Sequence, residues 1–335
     1  MNAKPGDRVK VVTTDEIKEG VLMPNEETDS VVIKLDNGYN IGIDRKRVKE
    51  IKIVEKYKEK ETHAKKEIKK DSKKPTIAIL HTGGTIASKV NYETGGVMAK
   101  FSPAELLEMF PELEKTANFD SKLIGQMFSE DMRFEHYKKM ANAVKKEIQK
   151  NVDGTIITHG TDTLGYSAAA LAFMLENVSI PILLVGAQRS SDRGSSDAAS
   201  NLICAAEFIA KTDFAGVAIC MHESTSDNSC AIMPATKTRK LHTSRRDAFK
   251  PVNDTIIARI DYDTRKIQFV KKDYEKKSDK KLIIKDSFEE KVGIIKCHPN
   301  MFKEEFDFFK GYKGLVIEGT GLGHTPLDVI DSITK

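Results

Sequence analysis

Apolar and polar residues alternate with period two at the start of the chain, in short runs at 8–12, 17–23, 30–35 and 39–43. That period puts successive side chains on opposite faces, so each run predicts a short β-strand. Asp36, Asn37 and Gly38 fall between the last two runs, and Asn37 and Gly38 tolerate the left-handed dihedrals that a tight hairpin turn demands. With Pro5-Gly6-Asp7 opening the segment, residues 1–55 predict a small SH3-like all-β barrel domain, too small for an enzyme site. It suits docking and it suits plain stabilisation of the larger body behind it; the pattern leaves both open.

Between 56 and 74 the alternation stops. Nine lysines and four acids crowd this stretch with hardly an apolar side chain, so it cannot pack a core and is expected to be a lysine-rich linker. The interspersed acids weaken its field, so a solvated tether is the expectation ahead of an electropositive contact near a nucleic acid.

After Pro75 the runs become uniformly apolar, at 76–80, 154–158, 181–185 and 214–220, separated by helix-like stretches at 103–110, 134–150, 164–176 and 197–211. Strands without a polar face must be covered on both sides, which predicts an α/β domain over 75–270, a mostly parallel sheet flanked by helices. A hairpin is expected at 255–261 and 266–270, and a second lysine-rich loop at 271–281. A further strand, helix and strand at 293–297, 303–310 and 314–318 predict the start of a second, smaller α/β domain over 290–335, expected to be truncated inside a helix at 331–335.

Composition narrows this little. At 335 residues and 39% hydrophobic the chain can bury more than one core. Its 54 basic residues are nearly cancelled by 50 acidic ones, so a net charge of +4 does not announce a nucleic-acid binder. Cys204, Cys220, Cys230 and Cys297 form no CxxC pair, which predicts buried free thiols and no zinc ribbon or redox pair. His81, His159, His222, His242, His298 and His324 lack ligand spacing, so no metal site is expected. Neither a signal peptide nor a membrane span is visible, and a soluble cytoplasmic protein is expected.

Two threonine-rich motifs follow strands just before helical stretches, where an open α/β sheet holds its ligands. The first, TIAILHTGGTIAS at 76–88, has Gly83 and Gly84 to turn the backbone and present Thr85. The second, GTIITHGTDTLGYS at 154–167, places Thr161 and Asp162 at a comparable strand end. Neither has the GxGxxG spacing of a dinucleotide site or the Gly-Lys-Ser/Thr ending of a phosphate loop. Hydroxyls line the first turn, which suits covalent catalysis. A threonine hydroxyl needs a base, and a lysine amine is one of the few that serve. The segment ATKTRKLHTSRRDAF at 235–249 supplies Lys237 for that role, with Asp162 to orient its ammonium.

TGGTIAS and THGTDT, in this order and 76 residues apart, resemble the two signature stretches of the L-asparaginase and glutaminase family. The resemblance runs from Thr76 to the chain end and takes in Ser129-Glu130-Asp131-Met132 and VGAQRSSDRGSSDAASN at 185–201. It implies Thr85 as primary nucleophile and Thr161, Asp162 and Lys237 as a second catalytic cluster. Ser129, Glu130, Gly84 and Gly160 would line the amino-acid site, and Tyr92 would match the family's mobile-lid tyrosine. Glu130 departs from the glutamine of many members, and Gly321-Leu322-Gly323-His324 lacks the asparagine-containing loop of ordinary bacterial asparaginases.

The β domain and lysine linker ahead of the catalytic part resemble the layout of the D subunits of archaeal glutamyl-tRNA(Gln) amidotransferases. That resemblance implies ammonia release from glutamine or asparagine, with no cofactor in this subunit. It implies as partner the tRNA-binding E subunit of the amidotransferase, which uses ATP and magnesium on Glu-tRNA(Gln), and a homodimer within a heterotetramer. A stand-alone L-asparaginase and a non-catalytic amino-acid-binding protein on the same scaffold are the alternatives. Intact Thr85, Thr161, Asp162 and Lys237 speak against the last, since a sensor needs no such set.

Overall fold

The computed structural model describes residues 3–23, 29–36, 40–57, 70–83, 86, 89–90, 97–98, 103–189 and 196–334. Asn37, Gly38, Gly84, Thr85, Tyr92 and most of the lysine-rich linker lie outside the described residues.

The first strands form an antiparallel five-stranded sheet of β1 (Arg8–Thr13), β2 (Ile17–Leu22), β3 (Ser30–Lys34), β4 (Asn40–Asp44) and β5 (Val48–Glu55), in the order β4-β3-β2-β1-β5. Period-two alternation drives Val9, Val11, Val31, Ile33 and Ile43 into one small core. β5 was not legible as a strand because its VKEIKIVE run has no fully buried side chain. Asp7 ties the end of this sheet to the chain that leaves it, accepting the Lys4 N–H on one oxygen and the Tyr57 N–H on the other. The linker's far end is anchored as well: Asn118 bonds the backbone of Asp71 and Lys74.

The expected α/β body is an eight-stranded sheet. Its strands are β6 (Thr76–His81), β7 (Asn118–Leu123), β8 (Gly154–Thr158), β9 (Pro181–Val185), β10 (Gly216–His222), β11 (Ser229–Pro234), β14 (Ala258–Asp261) and β15 (Ile267–Phe269). Two short strands, β12 (Thr238–Lys240) and β13 (Phe249–Pro251), pair as a separate hairpin within the same stretch. The sheet order is β15-β14-β11-β10-β9-β8-β6-β7. β7, β6, β8, β9 and β10 pair in parallel, whereas β10, β11, β14 and β15 pair antiparallel, so the sheet is mixed. The hairpin expected at 255–270 is thereby the sheet's antiparallel end.

Helices α1 (Pro103–Met109), α2 (Phe134–Ile148), α3 (Leu164–Met174) and α4 (Ala198–Lys211) cover the sheet. Ile77, Ile79 and Ile156 on one face pack with Leu202, Ile203 and Ile209 of α4. Their neighbours Ala78, Leu80 and Ile157 point the other way and are buried too, which is why these strands read as unbroken apolar runs. All four cysteines are free and buried. No helix among the described residues is long and apolar enough to cross a membrane.

Residues 286–335 form a second compact unit. In it β16 (Val292–Lys296) and β17 (Gly314–Glu318) pair in parallel across helix α5 (Lys303–Asp307), around a core of Ile295, Cys297, Met301, Phe306 and Val329.

Candidate active site

β6 leads outward to β7 on one side and to β8 on the other, so the chain changes direction across the sheet between β6 and β8. Ligands of open α/β sheets bind at the carboxyl ends of strands at such a switch point. The second threonine motif and the described part of the first, up to Gly83, sit there, one at the end of each strand. They are stapled together: Thr82 donates to the Thr158 carbonyl through its N–H at 3.2 Å and its hydroxyl at 2.9 Å. His81 adds a side-chain tie across three strands, with Nδ1 2.9 Å from Thr158 Oγ1 and Nε2 2.9 Å from Ser121 Oγ.

The first turn depends on Gly83. Its φ of +113° is in the region that only glycine enters freely, and a Cβ there would come within 2.5 Å of the Met127 carbonyl oxygen. Met127 N in turn donates to the Thr82 carbonyl, so the 125–131 segment packs directly on this turn. The same segment brings in Ser129, which is buried against Gly160, while Glu130 beside it is exposed. Thr163 Oγ1 donates to the Ser129 carbonyl at 2.5 Å.

The lysine differs from the sequence expectation. Lys240, not Lys237, reaches the second motif: its Nζ lies 2.9 Å from Thr161 Oγ1 and 2.8 Å from Asp162 Oδ1. The reason is strand parity. Thr238 and Lys240 share one side of β12, with Thr238 buried against the start of α3, where its carbonyl would lie 3.0 Å from a Cβ on Gly165. Lys237 has the parity of exposed Arg239 and is itself exposed. Its carbonyl accepts the Val252 N–H, and its charge is the least of those holding the Asp254 carboxyl below its ordinary value, Lys271 being the first. That alternation was the available signal, compressed into a three-residue strand.

The Lys240 side chain is only 11% exposed, whereas Asp162 is 68% exposed. A polar head so enclosed needs hydrogen-bond partners, and Thr161 and Asp162 supply them. An ion pair with so exposed a carboxylate contributes little to folding stability, so its placement is better explained by chemistry than by structure. Thr161 accepts from Lys240 and keeps its own O–H for a third group. The cluster therefore joins a hydroxyl, an amine and an orienting carboxylate, the set required to move protons at a nucleophile.

Two buried imidazoles, His81 and His159, stand at the strand ends that carry the motifs. Burial pushes both His81 and His159 down to about 4, so both are neutral near pH 7 and neither supplies positive charge to the cleft. Motif spacing points to none of His159, Thr163 and Lys240. The first two stand inside the second motif, but their side chains turn inward to other elements, which no spacing reveals.

Comparison with known proteins places the chain in a family and a fold. The family model described as "Asparaginase, N-terminal" matches residues 76–274, and the one described as "GatD N-terminal domain" matches residues 3–54. The chain is 50% identical over 340 residues to the D subunit of glutamyl-tRNA(Gln) amidotransferase from Pyrococcus furiosus, across 98% of this chain and 77% of that protein. It is 44% identical over 333 residues to the same-named protein of Methanococcus maripaludis, across 98% and 79%. Among solved structures, the thermostable L-asparaginase from Thermococcus kodakarensis matches with a TM-score of 0.68 and 27% identity, over 77% of this chain and 76% of that one.

Proposed function

Because the chain belongs to the family of glutamyl-tRNA(Gln) amidotransferase D subunits, with an asparaginase-type domain behind the N-terminal β domain, we propose that it releases ammonia from the side-chain amide of glutamine or asparagine with Thr85 as nucleophile. One observation carries this above all: Lys240 Nζ stands within hydrogen-bond reach of both Thr161 Oγ1 and Asp162 Oδ1 at the sheet's switch point.

In this reading Lys240 enters as the neutral amine. The Thr85 hydroxyl oxygen attacks the amide carbon, and Thr161 takes the Thr85 proton and passes its own to Lys240 Nζ. Lys240 thereby becomes the ammonium and later gives a proton to the leaving nitrogen. Backbone N–H groups at the two strand-end turns hold the oxyanion of the tetrahedral intermediate. The carbon–nitrogen bond breaks, the nitrogen takes up a proton and ammonia departs, leaving an ester on Thr85. Water, deprotonated through Thr161 and Lys240, attacks that ester and frees the amino-acid carboxylate, restoring the Thr85 hydroxyl. Asp162 keeps the Lys240 amine in place throughout, and Ser129 with Asp162 holds the amino and carboxylate ends of the substrate. The ammonia is consumed on Glu-tRNA(Gln) by the partner E subunit, where ATP and magnesium act.

The test is ammonia release by the complete two-subunit enzyme. Thr85→Ala should abolish it; wild-type release by that variant removes Thr85 as nucleophile. Release that strengthens when the E subunit and Glu-tRNA(Gln) are added supports the amidotransferase role. Full turnover of free asparagine by the chain alone, unaffected by either, favours a stand-alone asparaginase.

A further inference from the structure

His159 and Ser167 lie behind the site, fully buried, and take no part in the chemistry just described. His159 Nδ1 is 2.7 Å from the Gly160 carbonyl oxygen, and its Nε2 is 2.8 Å from Ser167 Oγ. A carbonyl only accepts, so Nδ1 carries the ring proton. Nε2 of the neutral ring is then an acceptor, and the Ser167 hydroxyl must donate to it. The ring is locked in one tautomer. His81 differs, because it stands between two hydroxyls, Thr158 and Ser121, and each can give or take a hydrogen bond.

The Gly160 carbonyl belongs to the peptide that carries the Thr161 N–H. In a trans peptide these two groups point in opposite directions, and the described chain has no cis bond. Drawing the carbonyl inward onto His159 therefore turns the N–H outward, and no acceptor among the described residues takes it. The other flank is closed too: a Cβ on Gly160 would fall 2.8 Å from Ser129 Cβ, so the peptide lies hard against the segment that Thr163 holds.

We propose that Ser167 and His159 are positioning residues that fix the plane of the Gly160–Thr161 peptide, and so aim the Thr161 N–H and hydroxyl at the reacting amide. This rests on the amide-cleaving reading of the site. Any buried imidazole must satisfy both ring nitrogens; what distinguishes His159 is that its Nδ1–H goes to the carbonyl of the peptide that carries the Thr161 N–H.

The experiment uses the two-subunit enzyme with glutamine as substrate and compares Ser167→Ala, Ser167→Thr and Lys240→Ala. Ser167→Ala should fold, lower kcat about tenfold with KM nearly unchanged, and be largely rescued by Ser167→Thr, which restores the donor. Nitrogen NMR of the imidazole should find His159 as the Nδ1–H tautomer alone in the wild type and in Ser167→Thr. Wild-type kcat in Ser167→Ala, an unrescued loss in folded Ser167→Thr, or an Nε2–H tautomer in the wild type overturns the proposal. If Lys240→Ala is inactive while Ser167→Ala is normal, only the positioning role fails; if Lys240→Ala retains full ammonia release, the Thr161–Lys240 assignment fails; and if the wild-type two-subunit enzyme releases no ammonia from glutamine, the amide-cleaving reading itself fails.

Discussion

Lys237 and Lys240 lie three residues apart at one short hairpin, yet their surroundings are opposite. Lys240 is nearly enclosed and bonded to Thr161 and Asp162, while Lys237 is exposed on the other side near Asp254. Their chemistry is identical in the unfolded chain. What separates them is the pairing of β12 with β13, which sets Thr238 against Pro251 and Lys240 against Phe249 and so decides which amine faces α3. A residue type names a capability, and the register of a strand decides where it is used.

The sharpest way to break this comparison is to remove each amine in turn. Lys240→Ala should lower kcat for ammonia release by about 10²- to 10⁴-fold, the range for a lost acid–base group, while Lys237→Ala stays within about twofold of wild type. Reversed results would return the role to Lys237 and discard the geometry. Asp162→Asn should cost less, about ten- to a hundredfold, because it orients the amine without itself moving the proton. A steady-state assay with glutamine reads both, and unchanged turnover in Asp162→Asn would reduce the carboxylate to a surface partner.

The same contrast explains what the sequence alone could tell. The strands at 76–81, 154–158 and 181–185 were legible because burial on both faces leaves no polar position to confuse the period. β7, with its sequence NFDSKL at the sheet's edge, carries no such signature and was not legible; β11 is buried on both faces at Cys230, Ala231, Ile232 and Met233, but that apolar run is only four residues long and was not legible either. Thr161 and Asp162 were legible as members of a motif. Lys240 was not, because three residues are too few for alternation to choose between neighbouring lysines. Nor could spacing show that His159 turns toward Ser167 of a following helix.

The smallest effect at neutral pH concerns the buried imidazoles at the strand ends. His81 and His159 are each held at about 4 when folded, against 6.5 ordinarily. Below 6.5 the unfolded chain takes up protons that the folded protein refuses, so stability is full above that pH and falls as the pH drops toward 4. The upper bound is roughly 3 kcal/mol per site. Urea titrations between pH 7 and 4 should record this decline, with a shallower slope in His81→Asn; an identical slope in that variant would show that the His81 tie between β6, β7 and β8 does not exclude the proton.

The most direct measurement is a double-mutant cycle on ammonia release with Thr161→Ala, Lys240→Ala and the two combined. If the hydroxyl and the amine work as one unit across their 2.9 Å contact, the double variant should be no slower than the worse single variant. A double variant whose loss equals the product of the two separate losses would contradict a shared site.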